Sequence, residues 1–192
     1  MTLLRRPIAL FGLFCIALLL SISDFAPARA VTPTLQLVAP AGAQAALDPF
    51  TVEVRIAQAA NLGAWEFDLA YDPALVTITG ITVNDFFARS AGCDPATARC
   101  AVVLGPIDEN GLFSAGAVSY GQASGANGDG LIATLQLQPK GVAGTTTLHV
   151  TNALLTDTAA NPIAPATVDV TLDLSAASFG ATHTIYLPVV TR

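Results

Sequence analysis

Leu62-Gly63-Ala64-Trp65-Glu66-Phe67-Asp68-Leu69-Ala70-Tyr71-Asp72-Pro73-Ala74-Leu75-Val76 alternates strictly until a proline interrupts it. Trp65, Phe67, Leu69 and Tyr71 share one phase; Glu66, Asp68 and Ala70 share the other. A period of two with the bulk on one side is the pattern of a strand with one face in a core and one toward solvent. Asp72-Pro73 supplies the turn that ends it. The stretch therefore assigns the large aromatic side chains to the interior and the carboxylates to the outside.

Similar patterns flank it. Leu35-Gln36-Leu37 opens a first strand, and Phe50, Val52, Val54 and Ile56 alternate with Thr51, Glu53 and Arg55 in a second. The Trp65 strand is third, and Leu75–Val83 continues after the proline turn. Further strands are predicted at Ala101–Leu104, Ala117–Gln122, Leu131–Gln138 and Thr145–Thr151, then in a final run where Val168, Val170, Leu172 and Leu174 alternate with Thr167, Asp169, Thr171 and Asp173. Turn formers such as Asn61-Leu62-Gly63, Asn110-Gly111 and Asn161-Pro162 separate them. Short strands at roughly ten-residue spacing without a long amphipathic helical pattern predict an all-β antiparallel sandwich of about nine strands. Helix is confined to one turn near Phe86–Ser90. No internal repeat is visible, so residues 31–174 form one module.

The ends read differently. Arg5 and Arg6 precede an unbroken apolar run from Ile8 to Leu20, and Ala28-Arg29-Ala30 follows. This is the order of a secretory signal peptide over residues 1–30, and the run is shorter than the ~20 residues a spanning helix needs. Cys15 lacks the small residue before it that a lipoprotein cleavage site uses. The remaining chain is expected to be secreted, extracellular or at the cell surface, with no membrane span. Residues 175–192 read as a linker and a short apolar tail, His183-Thr184-Ile185-Tyr186-Leu187-Pro188-Val189-Val190. The tail resembles short Tyr-Leu-Pro tails of some secreted bacterial proteins, and a final docked strand is the other reading.

Without residues 1–30, five of the eight basic and thirteen of the fourteen acidic residues remain, a formal charge of −8. Such a surface repels nucleic acid, whose binding depends on Lys and Arg neutralising phosphates. Cys93 and Cys100 close a short loop. In an oxidising compartment that spacing favours a disulfide over metal binding, because no histidine lies nearby and two thiolates do not complete a zinc site.

Tyr71, Asp72, Pro73 and Leu75, together with Gly128-Asp129-Gly130-Leu131-Ile132-Ala133-Thr134-Leu135, resemble two motifs of the cohesin domain, a jelly-roll β-sandwich module of secreted bacterial scaffolding proteins. The resemblance covers about residues 34–174. It implies binding of dockerins, small calcium-loaded helical modules carried by enzymes or surface proteins, in extracellular assemblies linked to polysaccharide degradation. Cohesins bind them through one flat sheet face that includes the third strand. On that implied face lie Glu66, Asp68, Ser119 and Gln122, while Ala64 and Ala123 occupy positions where many cohesins place polar contacts.

Chemistry of other kinds finds little footing. His149, flanked by Leu148 and Val150, points outward, and no Gly-x-Ser-x-Gly elbow accompanies it. Glu53, Glu66 and Asp68 fit the solvent face of strands better than a paired-carboxylate hydrolase site. Asp108-Glu109-Asn110 and Asn127-Gly128-Asp129 offer oxygens, but not in the spacing of a calcium loop, so any calcium is expected on the partner and no cofactor on this chain. Trp65 and Tyr120 read as core by their phase, leaving Phe86, Phe87 and Phe113 as candidates for a sugar platform. A carbohydrate-binding module is thus the second reading, and a structural spacer the third.

Overall fold

The computed structural model describes residues 31–175; the segment read as a signal peptide and the apolar tail lie outside the described residues. Eleven strands follow one another: β1 Thr34–Val38, β2 Gln44–Ala45, β3 Phe50–Ala70, β4 Val76–Val83, β5 Cys100–Glu109, β6 Leu112–Tyr120, β7 Ala126–Pro139, β8 Gly144–Asp157, β9 Pro162–Ile163, β10 Ala166–Val168 and β11 Val170–Ser175. The all-β sandwich predicted from alternation is present. Its count exceeds nine because short pairings at β2, β9 and β10 carry too little sequence to show a period.

The two strands predicted at Phe50–Ile56 and around Trp65 are one 21-residue strand, β3. Its first half pairs with β1 on one side and β7 on the other. Its second half, Ala64–Ala70, pairs with β6 and β8. Between them the backbone turns through left-handed conformations at Gln58 and Asn61, with φ of 60° and 54°. Asn accepts that region more readily than most residues. One chain segment thus belongs to both layers: β10-β1-β3-β7-β4 in the first, and β5-β6-β3-β8 in the second, extended from β8 through β11 to β2.

Side chains from the far strand hold this bend. Asp129 Oδ1 accepts the Gln58 amide at 2.7 Å, and Asn127 Oδ1 accepts the Asn61 amide at 2.8 Å. The Asn61 side chain in turn accepts the Gly125 amide at 2.8 Å and donates to Thr158 Oγ1 at 2.7 Å. Left-handed residues leave the ladder, and these groups satisfy the amides the ladder abandons. The Asn127-Gly128-Asp129 oxygens considered for calcium therefore have backbone partners.

The core fills the space between the layers. Trp65, Phe67 and Leu69 are at most 2% exposed and face Val52, Val54, Leu135 and Leu137 of the same apolar cluster. The Trp65 ring lies 5.5 Å from Phe67 and 6.1 Å from Phe87, the second contact edge-to-face. Truncating Trp65 or Phe67 to alanine would cost about 3–5 kcal/mol. Phe87 and Phe113 are also buried, which removes them as a sugar platform. The Phe86–Ser90 segment forms only a turn, in which the Phe87 and Ala88 amides approach the Asn84 carbonyl at 3.0 and 3.4 Å.

Two expectations of phase are corrected. Tyr120 is 51% exposed, and Val118 lies outside with it. The inner positions of β6 are Phe113, Ala115 and Ala117, and the register sets Ala117 beside Trp65 and Ala115 beside Phe67. Close packing wants small residues next to those rings, so volume rather than bulk chooses the inner phase. The predicted last strand breaks at Asp169, whose carboxylate leaves the ladder to take the Val150 amide at 2.9 Å and His149 Nδ1 at 2.5 Å. Val168 is exposed as a result.

Candidate docking face

The outer surface of the second layer can be read row by row, because residues directly opposite in neighbouring strands share a face. Across β5, β6, β3 and β8, one row runs Val102, Val118, Ala64, Thr156 and the next Leu104, Gly116, Glu66, Leu154. A third runs Ile107, Ser114, Asp68, Asn152. Tyr120, opposite Cys100, closes one end, and Leu112 with Ala70 the other. Seven apolar residues of this face, Val102, Leu104, Ile107, Leu112, Val118, Tyr120 and Leu154, are 37–58% exposed. Clustered apolar exposure of this kind marks an interaction site on a folded domain.

Glu66 and Asp68 both lie on this face, but in different states. Asp68 accepts from Ser114 Oγ at 2.6 Å and from Asn152 Nδ2 at 3.3 Å, so each carboxylate oxygen has a donor. Glu66 is exposed and has no hydrogen-bond or ion-pair partner among the described residues. Its neighbours in register are Gly116 and Leu154. A side chain at Gly116 would bring its Cβ within 2.8 Å of the Trp65 carbonyl oxygen, so that position stays bare. A shallow cavity of about 150 Å³ opens there, lined by Glu66, Leu104, Gly105, Ile107, Ser114 and Gly116, with Ala115 at its base.

Ser119 and Gln122 are not part of this cluster. Ser119 is in the inner phase of β6, where its Oγ donates to the Gly63 carbonyl and accepts from Arg99 Nε, both at 2.8 Å. The Arg99 guanidinium also donates to the carbonyls of Ser119, Gly121 and Ala123. Arg99 is thus consumed in holding the end of β6. Gln122 is exposed in the turn beyond, its amide bonded to the Pro95 carbonyl at 2.9 Å. The apolar members escaped the sequence reading because both phases of β6 contain small or apolar residues.

A disulfide between Cys93 and Cys100, seven residues apart, closes the loop at the Tyr120 end. Asp94 organises that loop, its Oδ1 accepting the Ala96 amide at 3.0 Å. Cys100 pairs with Tyr120 in register, so the bridge forms a rim on the side of the sheet that Tyr120 occupies.

Electrostatically the face is one-sided. The outer face built by β5, β6, β8 and the Ala64–Ala70 half of β3 carries Glu66, Asp68 and Glu109, and these segments contain neither lysine nor arginine. His149 on β8 is engaged by Asp169. Among the described residues no group of three His, Cys, Asp or Glu side chains gathers as a metal site, and no helix is long and apolar enough to cross a membrane.

The cohesin-domain family model matches residues 35–173. The chain belongs to the cohesin family. Solved structures agree on the fold: a non-cellulosomal cohesin from the archaeon Archaeoglobus fulgidus has a TM-score of 0.54 at 14% identity, covering 77% of this chain and 94% of that one. A type I cohesin–dockerin complex from Clostridium thermocellum gives 0.60 at 11% identity, covering 76% and 100%. A cohesin module of a family 33 glycoside hydrolase from Clostridium perfringens gives 0.59 at 14%, covering 76% and 98%. No curated protein matches the chain. Within this cohesin, the Trp65 strand lies in the layer β5-β6-β3-β8.

Proposed function

We propose that this cohesin is a secreted, non-catalytic docking module that binds a dockerin-type protein on the outer face of β5-β6-β3-β8, in extracellular or cell-surface assembly linked to polysaccharide degradation. The observation that carries the reading is the exposed apolar cluster around Glu66 on one layer of a cohesin fold. A flat, water-covered apolar surface gains most when a partner covers it, because burial removes that surface from water at roughly 25 cal/mol per Å². Solved structures of similar fold include cohesins crystallised with dockerins, which supports the same class of partner. The opposite layer presents Thr51, Thr82, Thr134 and Gln136, polar and without an aromatic platform, which gives direct sugar binding less support.

Isothermal titration of the purified chain with a panel of calcium-loaded dockerins, each repeated in excess chelator, tests the reading. Binding to at least one dockerin that chelator abolishes is the result expected. Failure of every dockerin encoded beside this protein to bind would remove the partner while leaving the fold.

A further inference from the structure

We infer that the cavity beside Glu66 receives a lysine or arginine side chain from the docking partner, an inference that rests on the docking reading above and names the chemistry of its contact. Three observations converge on it. The first is the unpartnered carboxylate: Glu66 stands exposed between Gly116 and Leu154, with no donor among the described residues. The second is the shape beside it, a cavity of about 150 Å³ whose wall is Leu104 and Ile107 and whose bare side is Gly116. The third is the absence of any lysine or arginine on β5, β6, β8 and the Ala64–Ala70 half of β3, the segments that build the face.

An apolar partner alone does not fit this arrangement. Covering the face would strip water from Glu66 and leave a charge without compensation, which opposes binding. A cationic side chain removes that cost. Lysine and arginine carry an apolar stem behind a charged head, so the stem lies along Leu104 and Ile107 while the head reaches the Glu66 carboxylate. Arginine suits the geometry in a second way, since its planar fork can take both carboxylate oxygens at once. Asp68 makes no such demand, because Ser114 and Asn152 already donate to it. The partner's contact surface is therefore apolar with one basic side chain set toward Glu66 in the middle row of the patch, rather than basic throughout.

Glu66→Gln keeps the size of the side chain, removes the charge and replaces one acceptor oxygen with a donor NH2. Against the dockerins that bind the wild-type chain, this variant should weaken affinity by roughly tenfold or more, with a flatter dependence on salt. Glu53→Gln, on the other layer, should leave affinity unchanged. If the dockerins bind and Glu66→Gln binds them equally well, the cavity assignment is overturned and the docking reading survives. If no dockerin binds, the docking reading fails, and n-butylguanidinium titrated into the isotopically labelled chain decides the cavity by amide chemical shifts. Saturable shifts at Leu104, Gly105 and Gly116 that vanish in Glu66→Gln uphold the assignment. Shifts that are absent, or identical in the two proteins, overturn it.

Discussion

Tyr71 donates its hydroxyl to Asp108 Oδ2 at 2.5 Å, joining the end of the core strand β3 to the edge strand β5. The Tyr71 amide also donates to the Gly111 carbonyl at 2.9 Å, so the residue grips the β5–β6 hairpin from both its backbone and its ring. The Tyr-Asp-Pro turn therefore does more than end a strand. It fixes the hairpin that carries Val102, Leu104 and Ile107 onto the proposed docking face.

Replacing Tyr71 with Phe should lower stability by about 1.5–3 kcal/mol, the range for a hydrogen bond to a charged group, as read by urea unfolding near neutral pH. The alkaline limb gives an independent check. Burial, with the hydrogen bond to Asp108 second, pushes the Tyr71 hydroxyl from its ordinary 10.0 up to about 12. A group whose folded value is raised contributes stability that is complete below the unfolded value and lost as pH rises through the folded one. Stability should thus fall between pH 10.0 and about 12 in the wild-type chain, and this component of the fall should be missing in Tyr71→Phe.

The acid limb has a counterpart at the β10–β11 break. The hydrogen bond from His149 holds the Asp169 carboxyl below its ordinary 3.8, against partial desolvation. A lowered folded value contributes stability above the unfolded value and loses it as pH falls through the folded one. Asp169→Asn should accordingly flatten the drop in unfolding free energy below about pH 4, measured by urea titration across the acid range. An unchanged acid limb would show that Asp169 carries none of it.

Breaking the Cys93–Cys100 bridge with paired serines should cost about 2–3 kcal/mol, the loop-entropy value for so short a ring. Differential unfolding with and without a reductant reads the same quantity on the wild-type chain. Because Cys100 and Tyr120 are register partners, amide shifts should change around Tyr120 more than around Trp65.

At the bend of β3, substitution of Asn61 separates backbone from side-chain contributions. Asn61→Gly keeps access to the left-handed conformation but loses the bonds to Gly125 and Thr158, whereas Asn61→Ala loses both. The alanine variant should be the less stable of the two by about 1 kcal/mol, since an L side chain other than Asn or Asp resists that region. Equal stabilities would place the whole role of Asn61 in its hydrogen bonds.

Legibility followed the physics of each segment. The Trp65 strand could be read because its two phases differ sharply, bulky against charged, and burial then has only one choice. Cys93 and Cys100 could be paired because a short ring in an oxidising setting leaves few alternatives. In β6 the phases are alike in polarity, and the choice fell to the volume left beside Trp65 and Phe67, which lie about fifty residues earlier. That is why alternation alone sets Ser119 outward and Tyr120 inward, each opposite to its position in the fold. The continuity of β3 was hidden for a related reason: its bend at Gln58 and Asn61 is held by Asn127 and Asp129, so the local sequence shows only an interruption.

The central claim is that partners dock on the outer face of β5-β6-β3-β8, and dockerin affinity in a matched pair of variants tests it most directly. Val118→Asp puts a charge in the middle of the apolar rows, while Thr51→Asp puts the same charge on the exposed surface of the other layer. With folding of both verified by thermal unfolding, Val118→Asp is predicted to weaken binding of calcium-loaded dockerin at least tenfold and Thr51→Asp to leave it unchanged. Wild-type affinity in Val118→Asp, with loss in Thr51→Asp, would contradict the account.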